Sequence, residues 1–274
     1  MSSWPTEKPF NLNCLPSRWD LEGFDKSQDF RPDIQAHIKL LEKQKAFYSQ
    51  FGEDKKIFTH AINQPLFDGT FLELGAHDGV DKSNTKFLEE TLGFSRGMLI
   101  EPHPLTYEKL VKNRPNCINL NYAIHPTSSS VDLMACGLPE VTTVNDGSAG
   151  QEFLDKWHGG GGKADRVISV KGERLDNLLK KHKFDFLDFW SLDVEGFELS
   201  VLKTMDWSIP VGLLCIESYH PCMKECHELL ISQGFEYRPL VFPSGAVTDH
   251  PNHYYINPSY FRLDKFFGPL DWLK

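Results

Sequence analysis

The spacing of hydrophobic positions changes near residue 70, and the change divides the chain. Ahead of it, "DIQAHIKLLEKQKAFYSQ" sets Ile34, Ile38, Leu41 and Ala46 at helical intervals. "GEDKKIFTHAI" predicts a second helix with acids in its first turn. Residues 1–31 have neither period; rich in Pro, Asp, Asn and Ser, they read as an extended arm draped on the body through Trp4, Phe10, Trp19 and Phe24. From Phe71 onward, short apolar runs alternate with helical ones. "TFLEL", "RGMLIE", "CINLNYAI", "SVDLMA", "RVISVK", "FLDFWSLD" and "VGLLCIES" predict strands, and "FEYRPLV" and "HYYINP" close the chain. Helical runs fall at 84–90, 105–113, 175–181, 198–204 and 222–233. Strands alternating with helices predict an α/β fold whose parallel sheet is covered on both faces.

The expected division is an arm and helical extension over 1–66, then an α/β domain over 67–274. Segment 137–165 breaks the rhythm with "DGSAGQ" and the tract Gly159 to Gly162. Consecutive glycines are costly to order, so this segment is either a mobile loop near a site or a surface insertion.

Composition narrows the function classes. A net charge of −9 with no stripe dense in Lys or Arg argues against a nucleic-acid partner, and favours an uncharged or cationic substrate. The start lacks a basic stretch ahead of an apolar run, and no window is apolar for long enough to cross a bilayer, so neither secretion nor membrane insertion is expected. Six cysteines scattered over 274 residues read as the reduced thiols of a cytoplasmic protein.

The richest stretch is "DGTFLELGAHDGVDKSNTKFLEE", residues 68–90. A buried strand carrying Glu73 runs into Gly75 and Gly79, which bracket Asp78. Glycines there allow either close approach of a ligand or a positive φ. "GAHDG" is not GxGxxG and no GK[ST] follows, so neither the dinucleotide fingerprint nor the P-loop is met. Glu73 and Asp78 would repel a pyrophosphate and suit a cation. The next strand ends in Glu101, 22 residues after Gly79, about where an acid accepts ribose hydroxyls. A nucleoside with a positive charge and no phosphate is S-adenosylmethionine. Taken alone, the glycines would be ordinary strand-to-helix turns; Glu101 after a second buried strand favours the adenosyl reading.

"FLELGAHDGVDKSNT", "GMLIEPHPLTYEKLVKNRP", "YAI" and "DFWSLDVEGFELSVLKTMD" followed by "LLCIES" resemble, in order and spacing, the FkbM-type methyltransferases, over roughly residues 48–219 from "YSQFGED". The resemblance implies a class I, Rossmann-like fold: a mostly parallel seven-stranded sheet with helices on both faces. It also implies S-adenosylmethionine as methyl donor and a hydroxyl as acceptor, often on a sugar or glycosylated metabolite. Carried over by position, Glu73, Gly75, Ala76, Asp78 and Gly79 line the methionine and ribose part, and Ser83 and Asn84 cap the following helix beside it. Glu101, followed by Pro102, takes the ribose; Ala123 and Ile124 flank the adenine; Asp193 borders the donor. The middle glycine common in methyltransferase first loops is His77 here.

Methyl transfer needs the acceptor aligned and its proton removed. "FWSLDVEGFE" ends one buried strand with Asp193 and Glu195, and "LLCIESYH" ends the next with Glu217 and His220. Adjacent strands lie ~5 Å apart, so these four are the candidate catalytic residues. Two mechanisms stay open: His220 or Asp193 as general base, or Asp193, Glu217 and His220 holding Mg²⁺ or Mn²⁺. Glu195 has a structural alternative, capping the helix that follows.

Other signals weigh less. Cys222, Cys226 and His227 match no zinc-finger spacing, and His250 and His253 read as loop histidines. The aromatic tail "YFRLDKFFGPLDWLK" fits core cover or a homodimer contact, and Trp157 beside the glycine tract fits a sugar-stacking lid. The leading expectation is an O-methyltransferase acting on a sugar, glycan or glycosylated small molecule. Its rivals are transfer to a non-sugar hydroxyl or nitrogen, and a non-catalytic adenosyl-binding partner of a glycosyltransferase.

Overall fold

The computed structural model describes residues 32–127, 129–135, 142–145, 166–217, 222–238, 252–262 and 265. The expected arm, the glycine tract with Trp157, His220, His250 and most of the aromatic tail lie outside the described residues. The described elements are, in order, α1 (Pro32–Lys43), α2 (Glu53–His60), β1 (Thr70–Leu74), α3 (Lys86–Glu90), β2 (Arg96–Ile100), α4 (Pro104–Asn113), β3 (Ile118–Leu120) and β4 (Ala123–Ile124). There follow β5 (Ser130–Ala135), β6 (Thr143–Val144), β7 (Arg166–Glu173), α5 (Leu175–Lys181), β8 (Leu187–Leu192), α6 (Glu198–Leu202), β9 (Val211–Glu217), α7 (Met223–Ser232), β10 (Glu236–Tyr237) and β11 (Asn252–Ile256).

Seven strands form the main sheet in the order β10-β11-β9-β8-β1-β2-β3. The five from β9 to β3 run parallel, while β11 lies antiparallel to β9 and β10 antiparallel to β11. The strand order reverses at β1, which makes that edge of the central strands a switch point for ligands. The sheet is the mostly parallel, seven-stranded one expected.

Each face carries its own apolar layer. Phe71, Leu99, Phe189 and Leu213 pack under α1–α4, against Ile38, Ile57, Phe58, Phe87 and Leu110. Leu72, Ile100, Trp190 and Leu214 pack on the other face, against Leu178, Val201, Met223 and Leu230 of α5–α7. Every residue of β8 is buried, which is why "LDFWSL" reads as a continuous rather than an alternating run.

Three strand expectations need correcting. "CINLNYAI" is not one strand: β3 belongs to the main sheet and β4 to a second, with Asn121 between them donating to the carbonyls of Glu101 at 2.8 Å and Pro102 at 2.9 Å. "SVDLMA" and "RVISVK" do not join the main sheet. They pair antiparallel in a four-stranded sheet ordered β4-β7-β5-β6. The reason lies in the burial of β5, which alternates between exposed and covered positions. Such alternation suits a sheet with one wet face, not one covered on both sides.

Polarity rises along the main sheet toward the carboxyl ends of its parallel strands. Glu73 pairs in register with Ser191, Ser191 with Cys215, and Cys215 with Tyr254. Two residue pairs further on, Glu217 stands beside Asn252, and Asp193 leaves β8 with its N–H bonded to the Leu74 carbonyl at 3.2 Å. Apolar rows below and carboxylates above set the floor of a site.

Candidate active site

At the ends of β1, β2, β8 and β9 lies a cavity of about 330 Å³. Its backbone is shaped by Gly75, whose φ is 75°. A Cβ at that position would stand 1.8 Å from the Asp193 carbonyl oxygen. At Gly79, with φ at 78°, a Cβ would meet Leu110 at 2.5 Å and Arg114 at 2.7 Å. Both glycines therefore take a positive φ and admit a neighbouring part of the protein, β8 in one case and α4 in the other. Of the two roles the sequence left open for them, this is the second.

Of the two acids of the first loop, Glu73 borders the cavity and Asp78 does not. Glu73 is buried, and its carboxylate accepts from Ser83 Oγ at 2.9 Å, the Asn84 N–H at 2.7 Å and Thr85 Oγ1 at 2.6 Å. Arg114 approaches it at 3.9 Å. Burial pushes the Glu73 carboxyl up, and Arg114 with these donors pulls it down. It thus organises the "SNT" turn. Asp78 does not line the cavity; its Oδ1 accepts the Val80 and Asp81 N–H groups, each at 2.9 Å. Ser83 Oγ accepts the Lys86 N–H at 3.1 Å, capping α3, and Asn84 donates to Ser191 at 3.0 Å. Ser83, Asn84, Gly75 and Ala76 all border the cavity, whereas Gly79 does not.

Glu101 stands at the other end of the cavity, with Pro102, Ala123 and Ile124 beside it. Its Oε1 accepts from the His103 N–H at 2.7 Å and Thr106 Oγ1 at 2.9 Å, and its Oε2 from the His77 N–H at 2.9 Å. Burial pushes its carboxyl up to about 7, against the pull of these donors.

Asp193, Glu195 and Glu217 converge at the near end, with one carboxylate oxygen of each within 4.8 Å of the others. Glu195 holds a left-handed φ of 54°. Its carboxyl is held well above the usual carboxylate range by burial first, then by Asp193, Glu217 and Glu198, with Lys82 opposing. Glu195 does not cap α6, whose N-cap is Phe197 with no side-chain bond; Glu198, fully buried, instead holds the preceding turn by accepting the N–H groups of Val194 and Gly196, each at 3.1 Å. Among the described residues this trio is the one group of acids, histidines or cysteines spaced to hold a metal ion. His220, expected in such a group, lies outside them, and Glu195 stands in the cluster instead.

Sequence reasoning missed part of the wall. Gln50, Phe51, Glu53, Lys82 and Asn252 line the cavity. "QFGED" stood out as the start of the resemblance, with no role attached. In "TDHPNHYY" the histidines are the conspicuous residues, yet strand alternation points Asn252 and Tyr254 one way and His253 the other. His253 packs its ring 5.2 Å from that of Tyr237, and burial lowers it to about 4. His227 faces Tyr255, with Nδ1 3.0 Å from the hydroxyl, and Cys222 Sγ lies 3.7 Å from Glu198 Oε2. No described helix is long and apolar enough to cross a membrane.

Comparison with known proteins gave one family and several distant structures. A search of curated proteins found no match. Methyltransferase FkbM from Methylobacillus flagellatus KT aligns at 15% identity with a TM-score of 0.39, over 83% of this chain and 60% of that one. This chain thus spans less than two thirds of that protein. Aeropyrum pernix fibrillarin, in complex with natively bound S-adenosyl-L-methionine, aligns at 13% identity with a TM-score of 0.40, over 77% and 76%. The TehB-like SAM-dependent methyltransferase from Corynebacterium glutamicum aligns at 9% with 0.38, over 82% and 98%. The profile described as "Methyltransferase FkbM domain" matches residues 73–237, well over half of the chain and the whole run from Glu73 through the acidic trio. By that match this chain belongs to the FkbM methyltransferase family.

Proposed function

We propose that this protein transfers the methyl group of S-adenosylmethionine to a hydroxyl of a sugar, glycan or glycosylated small molecule. The observation that carries the reading is the two-ended cavity: an acid suited to ribose at β2, and three acids beyond β8 and β9. When bound, the donor supplies a methyl carbon activated by its sulfonium. Glu101 Oε2, which takes one bond from the His77 N–H, has a lone pair left for a ribose hydroxyl. Ala123 and Ile124 give the adenine an apolar flank. Asp193 and Glu217 orient the acceptor by its hydroxyls, and Glu195, whose proton affinity is raised, takes the acceptor's proton as the new C–O bond forms. The S–CH₃ bond breaks in the same step, its electron pair leaving with the neutral thioether S-adenosylhomocysteine.

A second reading is favoured by the spacing of the trio. Asp193, Glu195 and Glu217 would hold Mg²⁺ or Mn²⁺, for which an all-oxygen set is suited, and the ion would lower the acceptor's pKa. Loss of turnover in EDTA with recovery in Mn²⁺ supports it; indifference to chelation sinks it.

Calorimetric titration with S-adenosylmethionine and S-adenosylhomocysteine tests the main reading. Binding of neither removes it. Labelled donor is then offered to a panel of methyl glycosides, phenols and amines. Label on a glycoside supports the proposal, label on a phenol or amine supports the first rival, and binding without transfer to any supports the non-catalytic one.

A further inference from the structure

The donor brings a carboxylate into a cavity dominated by carboxylates. Beyond the trio, Glu53, Glu73, Asp81 and Glu101 also border it, and among the described lining residues Lys82 is the one lysine or arginine. The sulfonium and amine of S-adenosylmethionine suit such walls. Its α-carboxylate does not, unless a cation meets it.

Lys82 is held where that meeting must occur. With ribose at Glu101 and the methyl group at the trio, the amino-acid tail is directed toward the turn after β1. There Lys82 takes a left-handed φ of 64°, a conformation that non-glycine residues keep only when their surroundings impose it. The surroundings do so. Asp78 fixes the turn ahead through the N–H groups of Val80 and Asp81, a bridge joins Lys82 to Ser49, and Glu73 ties down Ser83 and Asn84 behind. A fixed backbone thus sets the Lys82 side chain in the cavity wall, close enough for its charge to act on the Glu195 carboxyl.

We propose that Lys82 binds the α-carboxylate of the donor's methionine moiety and selects adenosyl nucleosides that carry it. This rests on the donor reading above and adds a residue to it.

The test is calorimetry on wild type, Lys82→Met and Lys82→Arg, with S-adenosylhomocysteine and its decarboxylated analogue, which keeps the thioether and the amine. Wild type is expected to bind the analogue about 10- to 100-fold more weakly than S-adenosylhomocysteine. Lys82→Met should weaken S-adenosylhomocysteine by about the same factor, and Lys82→Arg should hold it within about three-fold. Should wild type bind both ligands alike, or Lys82→Met bind S-adenosylhomocysteine as wild type does, the proposal is overturned. Equal weakening of both ligands by Lys82→Met, or a loss in Lys82→Arg as large as in Lys82→Met, also overturns it. Failure of wild type to bind S-adenosylhomocysteine is a different result, which removes the donor reading itself.

Discussion

Glu53 and Asn252 stand 199 residues apart in the chain and meet at 2.9 Å in the cavity wall, where Asn252 Nδ2 donates to Glu53 Oε1. The other Glu53 oxygen accepts the Phe51 N–H at 3.0 Å, and Asn252 pairs in register with Glu217. One buried carboxylate thus ties the start of α2 to the edge of β11 beside the acidic trio. Both residues lie outside the span matched by the family profile. Glu53→Ala leaves the Asn252 amide and the Phe51 N–H without this acceptor. The expected cost is about 1 to 3 kcal/mol, read as a lower urea midpoint at unchanged m-value.

On the proposed donor reading, the Glu101 carboxyl is expected to make donor binding depend on pH. A ribose hydroxyl would donate to the ionised form, and burial raises that ionisation to about 7. Affinity for S-adenosylhomocysteine is expected to rise from pH 6 to 8 and then level, and Glu101→Gln should flatten that curve. Stability runs in the opposite sense. Between the ordinary value of 4.5 and about 7 the folded state binds more protons than the unfolded one. This residue's contribution is therefore fully present below 4.5 and lost as pH rises through about 7. Calorimetric titration and denaturant melts across this window check both signs.

Much of this arrangement is visible in the chain, and the reasons for the rest are physical. Asp193, Glu195 and Glu217 could be singled out because a carboxylate at the end of a buried run needs a reason to be there. Glu101 was found by spacing, and the central strands by their unbroken apolar character. Glu73 shows the limit: its carboxylate was legible, but its partners depend on how α4 brings Arg114 against the turn. Arg114 is buried and donates to the Gly79 carbonyl at 3.0 Å and Thr85 Oγ1 at 3.2 Å, and to Glu89. Within "DVEGFE" the pattern of residues does not tell which glutamate holds the turn and which faces the cavity. The left-handed backbone at Glu195 and Gly196 decides it. Glu53 and Asn252 carry no local signal, since only the closed sheet makes them neighbours.

Asp188 and Arg262 form a second long-range tie. Asp188 is fully buried on β8 and accepts Arg262 Nε at 2.7 Å and Nη2 at 2.6 Å, along with the Thr70 N–H at 2.8 Å. Burial raises its carboxyl, and the Thr70 N–H and Arg262 oppose the shift. Removing Arg262 leaves a buried acid without its guanidinium partner. Arg262→Ala is expected to cost about 3 to 5 kcal/mol. Asp188→Asn in the same background should recover part of that loss in a urea melt, because the stranded charge is then gone.

Gly75 and Gly79 separate two kinds of crowding. Alanine at either must hold a left-handed φ, at about 1 to 2 kcal/mol. At Gly79 the atoms in the way belong to the side chains of Leu110 and Arg114, which are buried but can shift without parting two strands. At Gly75 the obstacle is the Asp193 carbonyl, 1.8 Å from the new carbon, and it moves only if β1 and β8 part. That separation also moves Asp193 and the acids beside it away from the β1 wall of the cavity. Gly75→Ala is therefore expected to lower the melting temperature more than Gly79→Ala. It should also weaken S-adenosylhomocysteine binding at least ten-fold more than Gly79→Ala does, as measured by calorimetry at a temperature where both variants are folded.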